Sequence, residues 1–141
     1  MNWNQLNLDV TSKWVRNFED AAFVLSYGGD AGSTLAMAFF PNNEDLNILY
    51  VYQLAFKLRN ANYMKNIFLH ELGHALGLRH GFAPEKEGDT VQIGPRQKGS
   101  VMDYEFPPTI RKSDVESTRL FYNLTGGQFK GWPIVDWEPN N

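Results

Sequence analysis

All three histidines of the chain lie in one stretch, NIFLHELGHALGLRH, at residues 66–80. His70 and His74 are four residues apart, so on a helix they share one face and are separated by about 6 Å along the axis. If the helix continued, His80 would lie about 9 Å beyond His74. A zinc–nitrogen bond is only about 2.0–2.1 Å long. A helix with three ligands at this spacing must therefore end between the second and the third histidine.

Gly77 lies in that interval, and we expect the helix to end there because glycine readily adopts the left-handed conformation that terminates helices. The turn would let His80 come back to the other two imidazoles. Three neutral nitrogen ligands leave the fourth position of a tetrahedral zinc ion to water, as in catalytic rather than structural sites. The predicted cofactor is one Zn²⁺ ion, held by His70, His74 and His80.

Glu71 follows the first of these histidines and is rotated about 100° from it around the helix. It is badly placed as a ligand but well placed beside one, which suits a general base acting on water. A His-x-x-x-His pair alone is usually a surface or core feature. Here Gly77 and His80 complete the pattern, which favours a metal site. Gly73, inside the same helix, costs about 1 kcal/mol relative to alanine, so we expect another segment to pack closely against it.

Composition narrows the possible function classes. With 141 residues and no internal repeat, the chain is predicted to form a single domain over residues 1–141. The absence of cysteine excludes disulfides and thiolate metal ligands. A net charge of −3 without a basic block argues against a nucleic-acid partner. No segment approaches the roughly 20 apolar residues of a membrane span, and the first ten residues, MNWNQLNLDV, do not resemble a signal peptide.

Runs rich in β-branched and aromatic residues predict strands. They lie at residues 12–18, 21–27, 34–40 and in the first part of 46–56. The acidic run NNED, at 42–45, is read as a solvated turn rather than a calcium loop, whose spacing it does not match. Glycine, proline and charge make residues 81–99 a long loop, a type of segment that often carries function.

Two helices are predicted. Apolar residues at helical spacing indicate one over 63–76, with Asn62 as its cap. The sequence SDVE is typical of a capping box in which Ser113 caps the helix and Glu116 reaches back. This second helix is expected to run to about Tyr122. Its expected core residues are Val115, Leu120 and Phe121.

The motif HELGHALGLRH resembles the zinc-binding motif of metzincin metalloproteases, His-Glu-x-x-His-x-x-Gly-x-x-His. The sequence SVMDY, at 100–104, is similar to their Met-turn, with Met102 beneath the metal site and not bound to it. Tyr104 matches the tyrosine of astacins and serralysins, which ligates zinc or stabilises the transition state. The alternative role for Tyr104 is that of a residue packed within the turn. The resemblance covers roughly residues 10–124 and leaves the subfamily open.

The resemblance implies an α+β, metzincin-like zincin fold. Such a fold has a mixed, mostly parallel twisted sheet with an antiparallel edge strand, an active-site helix, a Met-turn and a C-terminal helix. GSTLAMAFFP, at 32–41, resembles the edge strand, and SDVESTRLFY resembles the C-terminal helix. The family's usual first strand and most of its first helix have no counterpart, and NWNQLNLDV resembles the tail of that helix.

The implied activity is that of an extracellular zinc-dependent endopeptidase acting on a polypeptide substrate, with Glu71 as general base and Tyr104 assisting. The substrate would lie extended beside residues 34–40, and EFPPT, at 105–109, would form the wall of the pocket past the scissile bond. Two alternatives stay open. One is a zinc-bound but inactive module that binds a protein partner, and the other is a zinc hydrolase acting on a smaller amide.

Overall fold

The computed structural model describes residues 1–139 and has a small mixed α+β fold. The last two residues of the predicted domain 1–141 lie outside the described part. Four helices lie in that part: α1 (Leu58–Ala61), α2 (Met64–Ala75), α3 (Ala83–Lys86) and α4 (Lys112–Tyr122). None of them has the length and apolar character needed to cross a bilayer.

The main sheet is mixed and has three strands in the order β1-β3-β2. They are β1 (Phe23–Tyr27), β2 (Ala36–Met37) and β3 (Asn47–Val51). The central strand β3 runs parallel to β1, with Phe23 opposite Asn47, and antiparallel to β2. The predicted mixed sheet with an antiparallel edge strand is thus confirmed. A separate hairpin of β4 (Gln128–Phe129) and β5 (Trp132–Pro133) lies near the end of the chain.

The strand predicted at 12–18 is wrong. Residues 11–15 have no regular structure, and a short 3₁₀ helix follows at Phe18–Asp20. A strand needs a neighbour to satisfy its backbone groups, and within residues 1–139 the only strand beside β1 is β3. The side chain of Trp14 is 82% exposed as a result. The strand predicted at 34–40 was too long, since β2 has only two residues. The strand expected in the first part of 46–56 is confirmed as β3, and a 3₁₀ helix at Gln53–Phe56 follows it.

Helix α2 lies between two apolar clusters. On one side, Ile67 packs with residues of the sheet and its connections. On the other side lies a cluster that includes Leu69, Met102 and the N-terminal segment. That segment forms a single 3₁₀ turn, Trp3–Leu6, and the indole Nε1–H of Trp3 donates a hydrogen bond of 2.7 Å to the Leu69 carbonyl. This turn covers the inner face of α2 where the tail of a longer helix was expected.

Both predicted helix caps are wrong. Asn62 follows α1 and is its C-cap, whereas Tyr63 precedes α2. Helix α4 begins at Lys112, one residue before the predicted cap Ser113.

In α4 the carboxylate of Asp114, rather than that of Glu116, accepts the backbone N–H of the N-cap residue Arg111 at 2.7 Å. The first turn of this helix is therefore organised around a buried carboxylate. Of the expected core residues, Val115 and Phe121 are half-buried, but Leu120 is 55% exposed because Thr118 and Asp114 take the inner face.

Candidate metal centre

The structure brings the three predicted ligands together. His70 and His74 project from one face of α2, and His80 returns to them from the segment that follows. One ring nitrogen from each histidine lies within 4.8 Å of the others, close enough to hold a single metal ion. The ring centroids are 4.7 to 5.4 Å apart.

Gly77 ends α2 as predicted. Its φ is +91°, in the left-handed region. Its N–H donates to the carbonyl of His74 at 2.8 Å, and the N–H of Leu78 donates to the carbonyl of Gly73 at 2.9 Å. These two bonds form the Schellman motif, which satisfies the last carbonyls of a helix while the chain reverses. The reversal is what allows His80 to approach the other two rings.

Each imidazole is oriented through its Nδ1 atom. The Nδ1 atoms of His70 and His74 lie 2.8 Å from the carbonyl oxygens of Val101 and Leu78. A carbonyl can only accept, so each Nδ1 must carry the proton, and Nε2 is left with a free lone pair. The Nδ1 of His80 lies 2.5 Å from Oε1 of Glu87. The three rings therefore present Nε2 toward one point, and partners of this kind are typical of metal-binding histidines.

Burial keeps two of these rings neutral. It lowers the pKa of His70, and it lowers that of His74 from 6.5 to about 4, more than the hydrogen bond to Leu78 raises it. Neighbouring histidines lower both values further. The neutral imidazole is the form that binds a metal ion, so at neutral pH no proton has to be displaced from these two ligands.

Glu71 lies beside the cluster and is not one of its three members. Its side chain is buried, and burial raises its pKa from 4.5 to about 7. The backbone N–H of Ala38, just after β2, hydrogen-bonds the carboxylate and partly offsets this effect. A carboxyl group with a pKa near 7 is suited to exchanging protons at neutral pH.

Met102 lies beneath the site in the buried cluster against α2. A Cβ atom on Gly73 would overlap its Sδ atom, so the close packing predicted at this glycine is confirmed. The turn that carries Met102 is held by Asp114, whose carboxylate accepts bonds from the Ser100 hydroxyl at 2.5 Å and the Val101 N–H at 3.1 Å. The same turn supplies the Val101 carbonyl that orients His70.

Tyr104 lies at the rim of the site. Its ring centroid is 4.8 Å from that of His80 and 6.5 Å from that of His70, and its side chain is 74% exposed. The ring therefore lies near the predicted ligands, in contact with His80, while most of its surface is open to solvent.

A cleft of about 740 Å³ opens over the histidines and Glu71. The residues that line it include the segment around β2, together with Phe106 and Pro108. Phe106 and Pro108 are tied to α2, because the amide of Asn66 donates to the Pro108 carbonyl at 2.8 Å and the ring of Tyr63 meets that of Phe106 edge-on at 5.1 Å.

Sequence reasoning missed two residues that organise the site, Glu87 and Asp114. Glu87 lies in the segment read as a long loop, where no periodicity points to any one carboxylate. Asp114 was passed over in favour of Glu116, the residue that the capping-box pattern selects. An Asp three residues after a helix N-cap was the available signal for it.

Comparisons of the sequence with protein-family models and with curated proteins found no match, and neither did a comparison of the fold with solved structures.

Proposed function

We propose that the protein is a zinc-dependent endopeptidase with a metzincin-like arrangement of its catalytic groups. One observation carries the proposal. Three imidazoles converge on one point with their Nδ1 atoms bonded elsewhere, and the buried carboxylate of Glu71 lies next to them. A structural zinc site would need four protein ligands and no adjacent carboxylate.

The residues fit zinc. Three neutral nitrogen donors and no thiolate match the ligand set of catalytic zinc ions, with a fourth position for water or substrate. When bound, the ion supplies Lewis acidity toward a carbonyl oxygen and lowers the pKa of a coordinated water toward about 7.

Glu71 moves the proton. Its carboxylate accepts a proton from the attacking water and then passes it to the nitrogen of the departing amine. The pKa of about 7 supports both steps, since the group can hold or release a proton near neutral pH. Tyr104 supplies its hydroxyl to the oxygen on which negative charge develops, and its exposed position beside His80 supports this role.

The substrate is an extended polypeptide. β2 lies at the edge of the sheet and pairs with β3 on one side, so its other side can accept a further strand by backbone hydrogen bonds. Phe106 and Pro108 line the same cleft, which supports an apolar side chain just past the scissile bond. An extracellular location is part of the proposal through the family resemblance alone.

The test is to incubate the purified chain with an unstructured protein, with and without a chelator. We expect cleavage that the chelator abolishes and added zinc restores. Glu71→Gln should keep the zinc and lose cleavage. Zinc binding without cleavage would favour an inactive zinc-bound module that binds a protein partner. Hydrolysis of small amides alone would favour a zinc hydrolase that does not cleave polypeptides. Cleavage at an unchanged rate by Glu71→Gln would contradict the general-base role.

A further inference from the structure

The third ligand is held by a carboxylate from the segment that follows it. Oε1 of Glu87 lies 2.5 Å from Nδ1 of His80, and the two side chains are only 25% and 17% exposed. The other two histidines are oriented by main-chain carbonyls. His80 is thus the one ligand of the three whose orientation depends on a side chain.

A short helix brings Glu87 to this position. The N–H of Ala83 donates to the carbonyl of His80 at 2.9 Å and starts the turn of α3. The N–H of Glu87 donates to the carbonyl of Ala83 at 2.8 Å, so the chain completes the turn and returns over the ligand. Ala83 is buried, which anchors the turn, and Phe82 stacks on the imidazole of His80 with centroids 4.8 Å apart.

The second oxygen of Glu87 has its own partner. Oε2 lies 3.8 Å from Nη1 of Arg79, whose guanidinium carbon lies 4.5 Å above the ring of Phe40. Phe40 in turn meets the ring of His74 edge-on at 5.2 Å. Glu87 therefore connects His80 to His74 through the contacts of Arg79 and Phe40.

We propose that Glu87 is a positioning residue for the metal centre. It fixes His80 in the tautomer with the proton on Nδ1, so that Nε2 is available to the metal. Carboxylate partners of this kind orient the histidine ligands of zinc sites. The inference rests on the proposed zinc site and does not depend on proteolysis.

The variants for the test are Glu87→Ala and Glu87→Gln. Glu85→Ala is the matched control, because Glu85 lies on the short helix that ends just before Glu87, pairs with Arg96 and is absent from the cleft lining. Zinc affinity is measured by competition with a chromophoric chelator. Loss of a partner of this kind weakens metal affinity about 10- to 100-fold, and we expect that loss for Glu87→Ala. Glu87→Gln should lose less, since its amide oxygen still accepts from Nδ1–H.

The tautomer is read separately in the metal-free chain by ¹H–¹⁵N spectra of the histidine rings. We expect His80 to carry its proton on Nδ1 in the wild-type chain and in Glu87→Gln, and to populate both tautomers in Glu87→Ala. Affinities equal to that of the control, together with an unchanged tautomer, would overturn the inference. Failure of the wild-type chain to bind zinc would overturn the proposed metal site and this inference together, whereas zinc binding without proteolysis would overturn only the proposed activity. If Glu87→Ala does not fold, Glu87→Gln decides by the same two readouts.

Discussion

The carbonyl oxygen of Val101 lies 2.8 Å from Nδ1 of His70 and therefore sets the direction in which this ligand faces. The N–H of the same Val101 is bound by the carboxylate of Asp114, at the start of α4. A segment far from the ligand in sequence thus orients it. The turn around Met102 thus links α4 to the candidate metal centre, in addition to packing against α2.

Asp114→Ala should destabilise the protein strongly. The change removes the acceptor of three donors, the Ser100 hydroxyl and the N–H groups of Val101 and Arg111. Leaving several such groups unpaired costs about 3–5 kcal/mol in the free energy of unfolding, which urea titration would measure. Glu116→Ala on the same helix is the control. Its exposed ion pair with Lys112 contributes less than about 1 kcal/mol. Equal losses in the two variants would contradict this role of Asp114.

Gly77→Ala should weaken zinc binding. A side chain at φ +91° is strained by about 1–2 kcal/mol, and relief of that strain would move the turn that returns His80. Gly29→Ala is the matched control, since Gly29 has φ +75°, has open space around it and lies away from the cleft. Both variants should lose similar stability, but only Gly77→Ala should bind zinc less tightly by chelator competition. Unaltered affinity in Gly77→Ala would show that the left-handed turn is dispensable.

The stability of the zinc-free chain should depend on pH through the histidines. Burial lowers the pKa of His70 and His74, the latter to about 4, so on acidification the unfolded chain takes up protons that the folded chain does not. Their contribution is favourable above about pH 6.5 and is lost as the pH falls toward 4.

Glu71 has the opposite effect. Its pKa is raised from 4.5 to about 7, so the folded chain holds an extra proton between these values and loses that stabilisation as the pH rises. Glu71→Gln removes this term. Relative to wild type, the variant should therefore gain stability as the pH rises from 4.5 to 7, by up to about 1.4 kcal/mol per pH unit. Urea unfolding at pH 5, 6 and 7 would measure the difference, and a constant difference would contradict it.

Tyr104→Phe should lower the turnover number by up to about 100-fold and leave the zinc content unchanged, because only the hydroxyl offered to the developing oxyanion is lost. Tyr27→Phe is the control, as Tyr27 is also exposed but lies on β1. Turnover is measured on a fluorogenic peptide alongside metal analysis. Equal turnover in both variants would show that Tyr104 has no catalytic role.

The sequence correctly predicted those features of the fold and the site that depend on short-range geometry. The spacing of His70, His74 and His80 and the helix end at Gly77 follow from the rise and turn of a helix, and the structure confirms that they meet. The mixed sheet with an antiparallel edge strand was also predicted correctly.

The predictions were wrong where local structure depends on residues that are distant in the sequence. Residues 12–18 have a strand-like composition but lack a pairing neighbour in the described chain, and composition cannot reveal that. The cap of α4 depends on Asp114, whose carboxylate accepts hydrogen bonds from Ser100 and Val101. The local pattern around Ser113 does not contain these distant donors, so it predicted the wrong cap. Glu87 reaches His80 only through a turn inside an aperiodic segment.

His74 belongs both to the end of α2 and to the cluster of three histidines that could hold a metal ion. Its carbonyl accepts the N–H of Gly77, while its ring is bonded to the carbonyl of Leu78, one residue further along the reversal. Opening of the last turn of this helix would therefore also free the ring of His74 from its fixed orientation. We expect the amide-exchange rates of Gly77 and Leu78 to report how often this predicted ligand is released.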